Sequence, residues 1–190
     1  ADNNSGGGFA KGIELFWRDK KTFKNIDYWL TYSYLDSKRD FLNYPFSLTP
    51  NFASKHTINA VAKKFVMDWK TGFNLSYTYA KGRPYYDIIS QNGQNSFRQE
   101  GGRLKDYSGL NFSVNYVPSI GKKDSKSFTV FVLSINNILG NKNIYGYNFS
   151  SDPGNFSRSA VRPPVNTFVF VGVFISFGVD KTDDAINNNL

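Results

Sequence analysis

Apolar and polar side chains alternate in seven separate stretches of this chain, and each stretch has the length of a β-strand. The stretches are Gly12–Arg18, Ile26–Asp36, His56–Val66, Lys70–Lys81, Tyr107–Val117, Ser127–Leu139 and Thr167–Phe177. Successive strand side chains point to opposite faces, so alternation places one residue class on each face. In the fourth stretch Phe73, Leu75, Tyr77 and Tyr79 oppose Gly72, Asn74, Ser76, Thr78 and Ala80. In the fifth, Leu110, Phe112, Val114 and Tyr116 oppose Gly109, Asn111, Ser113 and Asn115. The last stretch carries the longest apolar stripe: Val169, Val171, Val173, Ile175 and Phe177. It is too short to cross a bilayer as a helix but matches the roughly 9–11 residues of a tilted membrane strand.

The connections alternate as regularly as the side chains. Short polar turns are expected at Asp19–Asn25, around Asp68 and at Gly121–Lys126. Long segments are expected at Ser37–Ser54, Gly82–Lys105 and Ser150–Val165. Short turns on one rim and long loops on the other are the habit of a membrane β-barrel. A water-soluble sandwich has no physical reason for such strict alternation.

Composition sharpens this picture. The polar faces are built mainly from uncharged Gly, Asn, Ser, Thr and Ala, with Glu14, Arg18 and Asp27 as exceptions. That chemistry suits a wet, crowded lumen better than a soluble exterior rich in Lys and Glu. Aromatic residues make up 17% of the chain. Tyr clusters towards strand ends, as in Tyr32-Ser33-Tyr34 and Tyr77-Thr78-Tyr79, like the aromatic girdle of a membrane barrel. Mean hydropathy is −0.43, a soluble-like value that alternating barrel strands also give. The first eight residues, Ala1 to Gly8, lack the basic start and apolar core of a secretory leader. No cysteine is present, so disulfides and thiol chemistry are excluded. The net charge of +8 admits anionic lipid or nucleic acid, but no nucleic-acid-binding motif accompanies it, and no nucleic-acid partner is expected.

The fold class expected is all-β: an antiparallel transmembrane β-barrel segment of seven strands, over residues 1–178, followed by a polar tail, 179–190. Splitting Ser127–Phe149 at Gly140 gives eight strands, and with them a self-contained barrel acting as an adhesin or small porin. A third reading is a soluble ligand-binding β-barrel with Phe73, Leu75 and Tyr77 inside. An odd count weighs against closure, because an open sheet leaves unpaired backbone groups that lipid cannot satisfy.

Several short segments resemble the TonB-dependent outer-membrane receptors, and they occur in that family's order. Gly12-Ile13-Glu14-Leu15 and Leu30-Thr31-Tyr32-Ser33-Tyr34-Leu35-Asp36 resemble its GVEL and YTYLDA hairpin. Lys55-His56-Thr57-Ile58 is similar to the start of the following strand. Gly82-Arg83-Pro84-Tyr85 resembles its GRPY, and Ser134 to Leu139 its NLF-type motif. The abundance of Asn, Lys and Tyr is similar to members from Bacteroidota. The resemblance implies a bacterial outer-membrane barrel of about 22 strands with a plugged lumen, of which this chain would be the last seven. It implies energised uptake of a scarce nutrient, such as siderophore-bound iron, and no enzymatic role. The implied partners are outer-membrane lipid, the plug and upstream strands of the same receptor, and TonB through a segment not in this chain. The three long segments become extracellular loops. Family members commonly stop at the terminal aromatic, whereas Gly178 to Leu190 follow Phe177 here.

Candidate ligand-binding residues lie in those loops and at their edges: Arg83, Tyr85, Tyr86, Arg103, Tyr147, Phe156 and Arg158. Tyr and Arg together can grip an anionic or aromatic ligand; the competing reading is that they pack the loops together. Val169, Val171, Val173, Ile175 and Phe177 are expected to face lipid. Asn136 and Asn137 suit a strand end or bulge better than a lumen site. His56 is the only histidine, and metal sites need three or four ligands, so no metal, cofactor or catalytic group is expected. Glu14 and Asp27 share the inward face of the first hairpin and are read as polar lumen contacts rather than as a catalytic acid pair.

Overall fold

Each alternating stretch forms a strand, and the seven pair in chain order. A computed structural model describes residues 6–41, 46–86, 88–91, 94–97, 102–122, 127–149, 157–178 and 186. The first four strands are β1 (Gly8–Asp19), β2 (Ile26–Arg39), β3 (His56–Val66) and β4 (Thr71–Ala80). The loop after β4 holds four short strands, β5 (Pro84–Tyr85), β6 (Ile88–Gln91), β7 (Gln94–Phe97) and β8 (Gly102–Arg103). Then come β9 (Tyr107–Tyr116), β10 (Ser127–Asn136), a hairpin of β11 (Gly146–Phe149) and β12 (Arg158–Val161), and β13 (Phe168–Phe177). The wall is one antiparallel sheet in the order β1-β2-β3-β4-β9-β10-β13. β5-β8, β6-β7 and β11-β12 are separate two-stranded sheets.

The turns at one rim are short. Asn25, Lys70 and Gly121 take positive φ of 60°, 51° and 78° there, as tight reversals require. The three long connections, 40–55, 81–106 and 137–167, all lie at the opposite rim. The segment after Gly140 does not add an eighth wall strand. It turns away from β10 and pairs as β11 with β12.

The register puts Thr31, Asn59, Thr78 and Gly109 in one row across β2, β3, β4 and β9. This is the polar face, and its side chains bond to each other. Asn59 Nδ2 donates to Thr31 Oγ1 at 3.1 Å, and Thr78 Oγ1 donates to Asn59 Oδ1 at 3.0 Å. Asn111 Nδ2 donates to Ser76 Oγ at 3.3 Å, and Asn74 Nδ2 to Ser113 Oγ at 3.1 Å. Short amides and hydroxyls therefore pair with one another across strands, which is why few charges are needed there, while among the described residues Asn74 Oδ1 stays buried without a partner.

Burial is inverted relative to a protein folded around an oily core. Gly72, Gly109, Asn115, Phe128 and Val130 are buried, and all lie on the polar face. Leu30, Leu75, Phe131 and Leu133, on the apolar face, are 41–45% exposed. On the edge strands, Leu15 and Val171 reach 60% and 74%. The buried apolar cluster is small: Val117, Ile120, Phe128 and Val130, beside the short-turn rim. Among the described residues, the outer edges of β1 and β13 have no strand partner, and the sheet does not close on itself.

Candidate functional site

The three long connections meet at one rim, and the residues that join them are largely the Arg and Tyr candidates. Tyr86 Oη donates to the Thr49 carbonyl at 2.8 Å, linking the first long loop to the second. The Arg83 guanidinium donates to the Tyr145 carbonyl at 2.6 Å, linking the second to the third. Arg158, on β12, donates to Tyr85 Oη at 2.5 Å. Its guanidinium also lies 5.2 Å from the Tyr85 ring centre and 4.5 Å from that of Tyr147. The two rings meet edge to face at 4.8 Å, with Phe149 flanking Tyr85 at 6.5 Å. Arg103 donates to the Gly82 carbonyl at 3.2 Å and stays within its own loop. Phe156 lies outside the described residues.

Five of the candidates, Arg83, Tyr85, Tyr86, Tyr147 and Arg158, thus act as inter-loop ties. Arg83 spends donors on a backbone carbonyl. Arg158 is exposed, and its charge sits over two π faces at the loop surface. Chemically, this is a cationic, aromatic platform suited to a planar or anionic solute.

Glycine makes the base of this platform possible. A Cβ at Gly82 would sit 1.8 Å from the Leu104 carbonyl oxygen, so the loop can close at its root only with glycine there. At Gly102, with φ +126°, a Cβ would sit 2.9 Å from Tyr85 Oη. The root is locked by a residue that the sequence reading passes over. Asp106 accepts hydrogen bonds from Tyr79 Oη (2.6 Å), the Gly82 amide (2.8 Å) and Lys81 Nζ (3.0 Å). These contacts, the Tyr79 bond above all, hold its carboxyl down to about 2. Its only signal in sequence was an acid directly before a strand, opposite Lys81-Gly82. Next to it is a cleft of about 220 Å³ lined by Arg83, Leu104, Lys105, Tyr107, Ile144 and Tyr145, among others. Ligand pockets usually span about 300–1,000 Å³, so this cleft is smaller than a typical one.

No family model matches this chain, and no curated protein matches it. Asn137, at φ 52°, ends β10 and ties three segments: its Nδ2 donates to the carbonyls of Asn141 (2.9 Å) and Asn166 (2.7 Å), and its amide donates to Asn111 Oδ1 (2.9 Å). Where β9 runs past its pairing with β10, side-chain amides replace the missing strand. Asn143 Nδ2 donates to the Ser108 carbonyl at 2.9 Å, and Asn143 Oδ1 accepts from the Ser108 amide at 3.2 Å. Buried backbone groups must be paired, and asparagine supplies both a donor and an acceptor.

Glu14 and Asp27 are not brought together. Glu14 faces Ser33 in the register, whereas Asp27 faces Lys63 and takes a two-pronged bond from Arg18 at 2.8 and 2.5 Å. His56 Nδ1 is 2.9 Å from Tyr32 Oη, and its ring packs against Tyr32 and Tyr34. Val169, Val171, Val173, Ile175 and Phe177 share one face of β13, each more than half exposed.

Proposed function

We propose that the chain is part of the wall of a bacterial outer-membrane β-barrel transporter of the TonB-dependent receptor type. The observation that carries this reading is the inversion of the two faces: amides and hydroxyls are crowded together, while a continuous apolar surface faces outward. In water that arrangement is unfavourable, since exposed apolar area costs about 25 cal/mol per Å². In lipid it is the required one. A ten-residue strand rising about 3.3 Å per residue and tilted by about 45° spans roughly 23 Å, close to the apolar band of a barrel.

Further support comes from the rims and edges. Trp17, Tyr28 and Phe23 cluster at the short-turn rim, and Tyr32, Tyr34 and His56 at the long-loop rim. Two aromatic belts suit two membrane interfaces. The free edges of β1 and β13 call for further strands, because lipid cannot satisfy unpaired backbone groups. In the reading proposed, upstream strands of the same receptor supply them, and a plug fills the lumen. The loop platform of Arg158, Tyr85 and Tyr147 then faces the outside and takes an anionic or aromatic solute such as an iron chelate. A self-contained eight-stranded barrel draws less support, because β11 leaves the wall and β1 and β13 lie at opposite edges. A soluble barrel would need Leu75 inside, and it is 44% exposed.

Extraction tests the proposal. The parent protein is expected in the membrane fraction, released by detergent and not by high salt or carbonate. Recovery from the soluble fraction without detergent overturns it.

A further inference from the structure

The outward face of β3 runs Ile58, Ala60, Ala62, Lys64. The register sets Ala60 between Leu30 and Tyr77, and Ala62 between Tyr28 and Leu75. Two methyl groups flanked by four bulky side chains leave a hollow of about 450 Å³ on the apolar face. Trp17 and Phe23, from the short-turn end, also line it. Such a hollow leaves its lining atoms without contacts unless something fills it.

The next outward residue toward the short-turn rim is a cation. Lys64 stands between Ile26 and Phe73 in the register, and it is exposed. Among the described residues it forms no ion pair or hydrogen bond, and Asp68, the acid nearest to it in sequence, does not pair with it. A charge on a lipid-facing surface is costly unless it reaches the interface or meets a counter-charge. Only Phe65 and Val66 separate Lys64 from the end of its strand, roughly 7 Å of rise. A lysine stem can cover that distance and place its ammonium at headgroup level. The neighbouring turn adds to the positive charge. Lys21 and Lys24 are exposed there, and the one acid of that turn, Asp19, is taken up by the Lys21 amide and by Thr22. Lys20 does not count towards it, because it pairs with Asp27 at 3.6 Å.

We propose that the hollow and Lys64 form a binding site for one anionic phospholipid, its acyl chain lying along Ala60 and Ala62 and its phosphate meeting the Lys64 ammonium. The occupant is a lipid rather than an added strand, because β2, β3 and β4 are each paired on both sides and offer no free backbone groups. It is anionic because the end of the hollow nearest the rim presents a cation without a protein counter-charge. The alanine positions and Lys64 lie about 13 Å apart at most along the strand, so one molecule reaches both. The site rests on the transporter reading, which places this face in lipid.

Photolabelling tests it. The parent protein is reconstituted in phosphatidylcholine bilayers with a trace of phosphatidylglycerol, or of phosphatidylcholine, carrying a photoreactive group in the acyl chain. Peptide mapping then reads the label on Ala60, Ala62, Leu75 and Tyr77. Phosphatidylglycerol is expected to label these residues about fivefold more than phosphatidylcholine, the effect of one lysine on an anionic lipid. Lys64→Gln is expected to bring both lipids to one level, and Lys64→Arg to keep the preference. Lys38→Gln, at the opposite rim, is expected to change nothing. Ala62→Phe fills the hollow and is expected to lower labelling by both lipids. A preference that survives Lys64→Gln overturns the headgroup contact, and labelling unchanged by Ala62→Phe overturns the hollow as the seat of the chain. Equal labelling by the two lipids, in a protein that does enter the bilayer, overturns the site and leaves the transporter reading standing. A protein that does not enter bilayers overturns both.

Discussion

Asp106 shows how one side chain can govern a long loop. It closes the root of the 82–105 connection by accepting from Tyr79, Gly82 and Lys81 at once. Its folded carboxyl lies at about 2, below the ordinary value of about 3.9. A depressed carboxylate stabilises the fold above its unfolded value and loses that contribution as pH falls through its folded value. The loop root is therefore expected to loosen between about pH 4 and about pH 2. Cleavage within 82–105 by an acid-active protease should rise across that window. In Asp106→Asn it should be raised already at pH 4 and show little further dependence on pH. Nothing in the alternation marked Asp106, because the pattern describes strands and this residue precedes one. Asn143 escaped notice for a similar reason: its role depends on where β10 stops pairing with β9.

Among the strands, the pattern was legible almost to the residue. The expected third strand, His56–Val66, is β3, and the other six differ from expectation only at their ends. β1 begins earlier, at Gly8, because β2 runs on to Arg39 and pairs with it. The sixth ends earlier, at Asn136, where Asn137 takes positive φ. The face assignment yields a sharp test. Leu75 is 44% exposed, so a lysine there is almost neutral in a water-soluble sheet. In a barrel refolded into vesicles, Leu75→Lys is expected to cost about 2–4 kcal/mol, the penalty for a cation near the bilayer midplane. Denaturant unfolding in lipid measures it, and Ser76→Lys on the opposite face serves as the control. A negligible cost for Leu75→Lys would place the apolar face in water.

At the scale of the whole molecule, seven strands make a wall with two open edges. A self-contained barrel brings β1 and β13 to adjacent-strand spacing, about 4.8 Å. An open wall keeps them apart. Spin labels at Ile13→Cys and Val171→Cys, both on exposed apolar positions, in the isolated chain are expected to report a separation of tens of ångströms, well beyond neighbouring strands. A separation typical of adjacent strands would instead favour the closed eight-stranded reading. The loop rim belongs to this scale too. Tyr86, Arg83 and Arg158 tie three connections that are far apart in sequence, from Thr49 to Arg158.

Alternation of side chains, together with the spacing of turns, determined the all-β class, the strands, their faces and the rim on which the long loops gather. These are local properties: a period of two sets which residues share a face, whatever the strand pairs with. Tertiary structure alone decided that β11 leaves the wall, that Asp106 locks a loop root, and that Arg158 lies over Tyr85 and Tyr147. Each depends on contacts between segments distant in the chain, where distance and register, rather than residue type, determine the partner.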